Sequence, residues 1–290
     1  MHRFLLHNDQ ILEASARTLA AGQVGLLAGW GVFSTLRVTD GVPFAWERHW
    51  ERMKRDAAHI RVPFPADADG LAGRLQQLIE ANHAYNAALR VYVVRNRGGL
   101  YEGPGQTRDF DIIAFTVDPA AWPETVKLAV AHNARHAASE FAGTKCISWA
   151  ENLTRHERAR EQGFDEVILM NERGEVSECT SANVFAVNGS RVWTPPLSAG
   201  CLPGVTRAVL LAEVDIPGLE IAERTLMLHD LEIADEVCIT SSTRGLLPVS
   251  RIEGLQIPAG RAVCDRLRQA LAVYAAAYTA ARRKDAPVQT

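Results

Sequence analysis

Two rhythms of apolar and polar positions run along the chain. Residues 31–38, Gly-Val-Phe-Ser-Thr-Leu-Arg-Val, read as a strand, Asp40-Gly41 as a tight turn, and the residues after Pro43 as the returning strand, so a hairpin opens the pattern. From Trp46 to Ile60 the apolar residues Trp46, Trp50, Met53, Ala57 and Ile60 fall three and four apart, which predicts a helix with a charged outer face. The same spacing recurs over 69–86. β-branched runs at Arg90 to Arg95 and Phe110 to Val117 predict two more strands, separated by the glycine-rich stretch Asn96 to Gln106. Asp118-Pro119-Ala120-Ala121-Trp122-Pro123 has two prolines and no periodicity.

Beyond that break the pattern predicts a strand at 126–131, a helix at 149–162 and a strand at 166–170. A turn at Asn171-Glu172-Arg173-Gly174 leads into one long strand over 176–187. Pro203 is expected in the first helical position of a helix reaching about Glu213, since a missing N–H costs nothing there. A strand at 236–240, a Ser-Ser-Thr turn and a long helix from Arg261 follow. Mixed strands and helices without an internal repeat give an α+β protein in two parts. The expected division is a small N-terminal α/β domain at 1–118, a linker at 119–124 and a larger domain at 125–290.

Composition narrows the function classes. The 290 residues are 47% hydrophobic, enough for a full core without metals or disulfides. A formal net charge of −3 gives no footprint for nucleic acid or an anionic membrane surface, so small-molecule chemistry is expected. The five cysteines are scattered and never spaced as C-x-x-C, which points to a reducing compartment. The first nine residues turn polar before an apolar signal core could form, and the apolar stretch near Ala270 to Ala281 is too short to span a bilayer, so a cytoplasmic protein is expected.

Lysine is scarce, which makes each one easy to judge: Lys54, Lys127, Lys145 and Lys284. Lys54 falls on the polar face of a helix, Lys127 at a strand start and Lys284 in a polar tail. Lys145 follows Gly143-Thr144 and precedes Cys146, Ile147 and Trp149, read as an apolar helix start. A lysine dried in that way becomes a nucleophile toward carbonyl groups. His132 and His136 are spaced i, i+4, but lack a glutamate beside the first histidine and overlap a strand end, so no metal site is expected.

Lys145, the segment Gly163-Phe164-Asp165-Glu166-Val167-Ile168-Leu169, the run from Gly174 to Phe185 containing Ser177-Glu178-Cys179-Thr180-Ser181-Ala182-Asn183, and Cys201-Leu202-Pro203-Gly204-Val205-Thr206-Arg207 occur in that order. Together they resemble the fold type IV pyridoxal-phosphate enzymes: branched-chain and D-amino acid aminotransferases and aminodeoxychorismate lyases. The resemblance implies the two-domain fold of that class, with a mixed, barrel-like β core in the larger domain, and pyridoxal 5′-phosphate as cofactor. It implies Lys145 as the Schiff-base lysine that also shuttles a proton, and Glu178 as the carboxylate facing the pyridine nitrogen. Arg52, the N–H groups of Val205 and Thr206, and Ser241 and Ser242 match phosphate contacts, with Leu202 on the ring face. Ser242 stands where threonine is common. A substrate carboxylate needs an arginine, for which Arg90, Arg95 and Arg97 are candidates, and Phe33 and Thr243 join them as substrate contacts. Members of the class are generally homodimers, so a dimer is implied.

The reaction is divided between subgroups. The position five residues after the lysine is Ala150, where L-branched-chain enzymes carry tyrosine, and Phe33-Ser34-Thr35 replaces their Phe-Glu-Gly. Phe33-Ser34-Thr35 and Ser177-Glu178-Cys179 lean toward the lyases. Leu202 to Arg207 and Ser241-Ser242-Thr243 lean toward the aminotransferases. The expectation is an aminotransferase that moves an amino group between an amino acid, branched-chain or D type, and a 2-oxo acid. Pyruvate elimination from 4-amino-4-deoxychorismate and a non-catalytic binding module are the alternatives.

Overall fold

The structure is a computed structural model that describes residues 1–20, 22–99, 107–258 and 260–284. The chain divides into two compact units. The first comprises Met1–Ala120, Thr144–Trp149 and the chain from Ala277 onward; the second comprises Ala121–Gly143 and Ala150–Ala276. Among the described residues no helix is long and apolar enough to cross a membrane.

The first unit is built on a six-stranded antiparallel sheet. Its strands are β1 (Phe4–His7), β2 (Gln10–Glu13), β3 (Gly31–Thr39), β4 (Val42–Pro43), β5 (Ala87–Arg95) and β6 (Phe110–Val117), in the order β2-β1-β6-β5-β3-β4. The period-2 pattern of β3 sends Val32, Leu36 and Val38 to one face, where they pack with Trp50, Met53 and Ala57 of α2 (Trp46–His59) and Leu71, Leu75, Leu78 and Ile79 of α3 (Ala68–Ala81). Each large side chain so buried contributes about 1.5–3 kcal/mol. Asp67 caps α3, its Oδ1 accepting the N–H of Gly70 at 2.8 Å. Phe33, Thr35 and Arg37 alternate to the opposite face of the sheet.

A short helix α1 (Val24–Ala28) precedes β3. Both α1 and the hairpin β1–β2 have too few periodic positions to stand out in the sequence. Cys146 and Ile147, expected in a helix start, are instead bonded with Lys145 to a strand. They line the free edge of β3, with Phe33 N–H donating to Lys145 O (3.2 Å) and Ile147 N–H to Gly31 O (3.0 Å). An unpaired strand edge satisfies their backbone where a helix would have needed a cap. The helix begins later, as α4 (Ala150–Glu161).

The second unit holds an eight-stranded mixed sheet in the order β12-β11-β10-β13-β14-β7-β8-β9. These are β7 (Val126–Arg135), β8 (Glu166–Asn171), β9 (Val176–Cys179), β10 (Asn183–Asn188), β11 (Arg191–Thr194), β12 (Glu220–Glu223), β13 (Glu236–Ser241) and β14 (Gly245–Ile252). The single strand expected over 176–187 is broken at 180–182, where Cys179 N–H donates to Ala182 O at 2.7 Å. That break bends the whole sheet. β9 and β10 stand five strand spacings apart in the sheet order, roughly 24 Å if flat. The link from Cys179 to Asn183 spans at most about 14 Å. The sheet must therefore curl, bringing its β9 edge round to β10. Val126, Leu128, Ile168, Val184, Ile239 and Val249 fill the core of the curled sheet.

Helix α5 (Val205–Ala212) starts two residues after Pro203, with Gly204 as its N-cap, so Pro203 lies outside the helix rather than in its first position. A Cβ on Gly204 would stand 2.0 Å from Asn183 Oδ1, which explains the glycine and leaves that N-cap with no side chain to offer. Helix α6 (Leu228–Glu232) precedes β13, and α7 (Ala262–Lys284) closes the described chain. Glu236 fastens the start of α7, accepting the N–H groups of Val263 (2.9 Å) and Cys264 (2.8 Å).

Candidate active site

In the first unit, the face of the sheet opposite the helices carries a row of aromatic rings. Phe33 and Tyr92 are register partners on β3 and β5, and their rings stack at 5.4 Å. Tyr92 stacks in turn on Phe115 at 5.8 Å, and Trp149 meets Phe33 edge-on at 5.8 Å. Two cations lie over this floor. Lys145 Nζ is 4.3 Å from the centre of Phe33 and 5.6 Å from that of Trp149. The Arg90 guanidinium stands 5.5 Å from Phe33, 5.4 Å from Tyr92 and 6.0 Å from Phe115, and its Nε is buried without a hydrogen-bond partner. Burial raises the pKa of the Tyr92 phenol, opposed by Arg90. Lys54 and Lys127, by contrast, are exposed.

The three arginine candidates are separated by the structure. Arg95 lies 4.0 Å over the ring of Trp30 and donates to the carbonyls of Arg61 (2.5 Å) and Arg97 (2.7 Å). The Arg97 guanidinium is half exposed and pairs with Asp109 at 3.6 Å. Arg90 alone of the three shares the face of Lys145. The rest of the glycine-rich stretch, from Leu100 to Gln106, lies outside the described residues.

On the other face of β3, Arg52 is buried and its Nη2 donates to Ser34 Oγ at 2.7 Å. Ser34 Oγ is also 2.7 Å from Nδ1 of His49, which is fully buried. With Arg52 donating, the serine proton goes to Nδ1 and the imidazole carries its own proton on Nε2. Burial, followed by the charges of Arg52 and Lys145, holds the His49 pKa well below the ordinary 6.5, so this histidine stays neutral.

The second unit gathers three segments. Glu178, on β9 and 8% exposed, accepts from Arg135 Nε (3.0 Å) with Oε1 and from Leu202 N–H (3.0 Å) with Oε2. Arg135 also reaches Asn152 Oδ1 with Nη1 and Nη2 (3.2 Å each), and Asn152 Nδ2 donates to Thr180 O (2.9 Å). These contacts fix the Glu178 carboxyl group in place. Asn183 Nδ2 holds Leu202 O at 2.9 Å, which places Leu202, half buried, directly before α5. Val205 and Thr206 are buried in the first turn of that helix, whose N–H groups no capping side chain occupies. Ser241 ends β13 and Ser242 and Thr243 lie in the turn that follows, closed by Thr240 Oγ1 donating to Gly245 O (2.6 Å). Arg244 ties this turn to the Thr180–Ser181 corner, with Nη1 on Glu166 Oε2 (2.9 Å), Nη2 on Ser181 Oγ (2.8 Å) and Trp122 stacked at 4.3 Å.

Arg135, Asn152 and Arg244 were not singled out from the sequence. A buried Glu178 demands a cationic partner, but nothing in a linear pattern says that the end of β7 supplies it. His132 lies within β7 and His136 just after it, so their i, i+4 spacing is not helical.

Such a donor set suits one kind of ligand. A carboxyl group fixed by two donors suits a heteroaromatic N–H, and uncapped helix N–H groups with serine hydroxyls suit a phosphate. The branched-chain-amino-acid aminotransferase of Salmonella typhimurium is 28% identical over 83% of this chain and 83% of its own. The D-alanine aminotransferase of Bacillus licheniformis is 27% identical over 88% and 90%. The crystal structure of the Escherichia coli branched-chain amino acid aminotransferase superposes with a TM-score of 0.85 at 24% identity, covering 95% of each chain. Its likeness extends to the type IV fold with its curled mixed sheet. The family model for amino-transferase class IV matches residues 31–252, and the chain belongs to that family of enzymes.

Proposed function

We propose that the chain is a pyridoxal-phosphate-dependent aminotransferase, moving an amino group between an amino acid, of branched-chain or D type, and a 2-oxo acid. The observation that carries this reading is the Lys145 amine laid over Phe33 and Trp149, with Arg90 over the same ring. A reacting amine and a carboxylate-binding guanidinium on one apolar face are what an α-amino acid requires. Bound, the cofactor supplies an electron sink for the charge left at the substrate α-carbon when its proton departs.

The chain's own groups do the rest. Lys145 Nζ provides the covalent anchor and, once released, carries the proton to and from the α-carbon. The Glu178 carboxyl group, held by Arg135 and Leu202 N–H, would accept a hydrogen bond from the ring N–H. Leu202 packs on the ring. The phosphate falls to Arg52, to the N–H groups of Val205 and Thr206 and to Ser241 and Ser242. Phe33 forms the floor beneath the substrate, Arg90 pairs with the carboxylate, and Thr243 is a further substrate contact.

Supplying single L- and D-amino acids to the loaded protein should bleach its visible absorption, and a 2-oxo acid should restore it. Release of pyruvate with no acceptor present would instead favour the lyase reading, which Phe33-Ser34-Thr35 supports. Arg90→Gln is expected to raise KM for donor and acceptor by about 10- to 100-fold with kcat nearly unchanged, whereas Arg97→Gln leaves both within about twofold. Steady-state kinetics on the two variants distinguish them. On the same reading the enzyme is a cytoplasmic homodimer, and sedimentation equilibrium should return twice the 31.8 kDa chain mass.

A further inference from the structure

Asp56 has no part in the reading above, yet it touches its central residue. It lies four residues after Arg52 and seven after His49, so the three share one face of α2. The side chain is 1% exposed. Its two oxygens have different partners. Oδ1 accepts Arg55 Nε at 3.0 Å, and Oδ2 accepts the backbone N–H of Lys145 at 3.1 Å. One turn further along α2, His59 Nδ1 meets Thr144 Oγ1 at 3.1 Å, so the helix holds two successive residues of the same segment. The Lys145 carbonyl is taken by Phe33 N–H, so both main-chain polar groups of the lysine are fixed, the donor by α2 and the acceptor by β3.

A buried carboxylate is an expensive acceptor for one amide, since its desolvation costs several kcal/mol unless it is paired. Arg55, half exposed, meets that cost from the solvent side and leaves Oδ2 for the amide. The lysine side chain has four rotatable bonds, so a small error at its Cα grows before it reaches Nζ. A misplacement of about 1 Å at a reacting group can cost about a hundredfold in rate.

We propose that Asp56 is a positioning residue for Lys145, gripping its amide N–H so that the side chain leaves the backbone at the angle that lays Nζ over Phe33. This rests on the reading in which the Lys145 amine is the reacting group. It predicts that the acceptor oxygen matters and the charge does not.

The test compares the parent with Asp56→Asn, Asp56→Ala and the volume-preserving Asp56→Leu. Two readouts are taken: amide hydrogen exchange at Lys145, and borohydride-trapped labelling of Lys145 by added pyridoxal 5′-phosphate, quantified on its peptide by mass spectrometry. Asn is expected to keep the amide protected and to label within about threefold of the parent. Ala and Leu should lose protection at Lys145 while Ile147 stays protected, and should label about a hundredfold more slowly. Folding of each variant is followed by circular dichroism. Equal labelling by the parent and a folded Ala or Leu variant overturns the proposal, as does equal loss in Asn and Ala. So does fast exchange of the Lys145 amide in the parent itself, a measurement that needs no variant. A parent that is protected at Lys145 but takes no label there refutes the proposed function and leaves the grip of Asp56 standing, so the two failures are told apart.

Discussion

Lys145→Ala is expected to lower kcat by about 10⁴-fold, the scale set by removing a general acid–base group that is also the covalent anchor. No other described lysine is placed to replace it. Lys54 and Lys127 are exposed on α2 and β7, while Lys145 alone among them stands over the aromatic floor. The loss should be chemical rather than structural, because the segment is fixed by main-chain bonds to β3 that alanine keeps. The variant should therefore melt close to the parent, still take up cofactor through the Glu178 and α5 groups, and fail to be trapped by borohydride. Added small primary amines should restore part of the rate, since the space vacated beside Phe33 and Trp149 admits them. A variant that turns over at the parental rate would remove the basis of the proposed function.

The second large effect concerns stability. Arg244→Met is expected to destabilise the second unit by about 3–5 kcal/mol, the penalty for leaving one member of a buried ion pair alone. Glu166 is 1% exposed, and burial by itself would raise its pKa. His156, with Nδ1 at 3.9 Å, the Arg244 guanidinium and the hydroxyls of Ser181 and Thr180 outweigh burial and bring the carboxyl from its ordinary 4.5 down to about 2. That displacement corresponds to about 3 kcal/mol. Because the folded pKa is depressed, the contribution is fully present above about pH 4.5 and disappears as pH falls through about 2. Without Arg244 the folded pKa rises, so acid unfolding should begin at a higher pH. Urea titrations at neutral and acid pH measure both effects. Adding Glu166→Leu to Arg244→Met should recover much of the lost stability, since an apolar pair incurs no desolvation penalty. If Arg244→Met and the parent unfold at the same urea concentration, the pair contributes nothing.

What the sequence revealed, and what it hid, follows from the range of the interactions. Helix α2 and strands β3 and β6 are local objects with several repeats of one period, each found within a residue or two of its expected place, while β5 begins three residues before the expected Arg90. Lys145 and Glu178 stand out through their neighbours in the chain. The conformation around Lys145 was misjudged because an apolar run is extended or helical according to whether a strand edge is available, and that edge belongs to β3, more than a hundred residues earlier. The break at 180–182 was hidden for a related reason, since only the closure of the curled sheet requires it. Arg135, Asn152 and Asp56 serve the site through bonds spanning 17 to 89 positions, and no periodicity records such distances. Arg90 was legible as one of three arginines. Choosing among them took the register Phe33↔Tyr92 and Arg90↔Phe115, which sorts odd from even positions across three strands.

The six residues Thr144–Trp149 belong to the first unit, although the chain on either side of them belongs to the second. The N-terminal stretch therefore never contains a finished half of the catalyst. Synthesised to Ala120, it has the Arg90 guanidinium and the rings of Phe33 and Tyr92 but not Lys145, which comes off the ribosome within a later stretch whose flanking residues belong to the second unit. Exchanging the chain before the proline-rich break would therefore part the Lys145 segment from the β3 edge to which it is bonded.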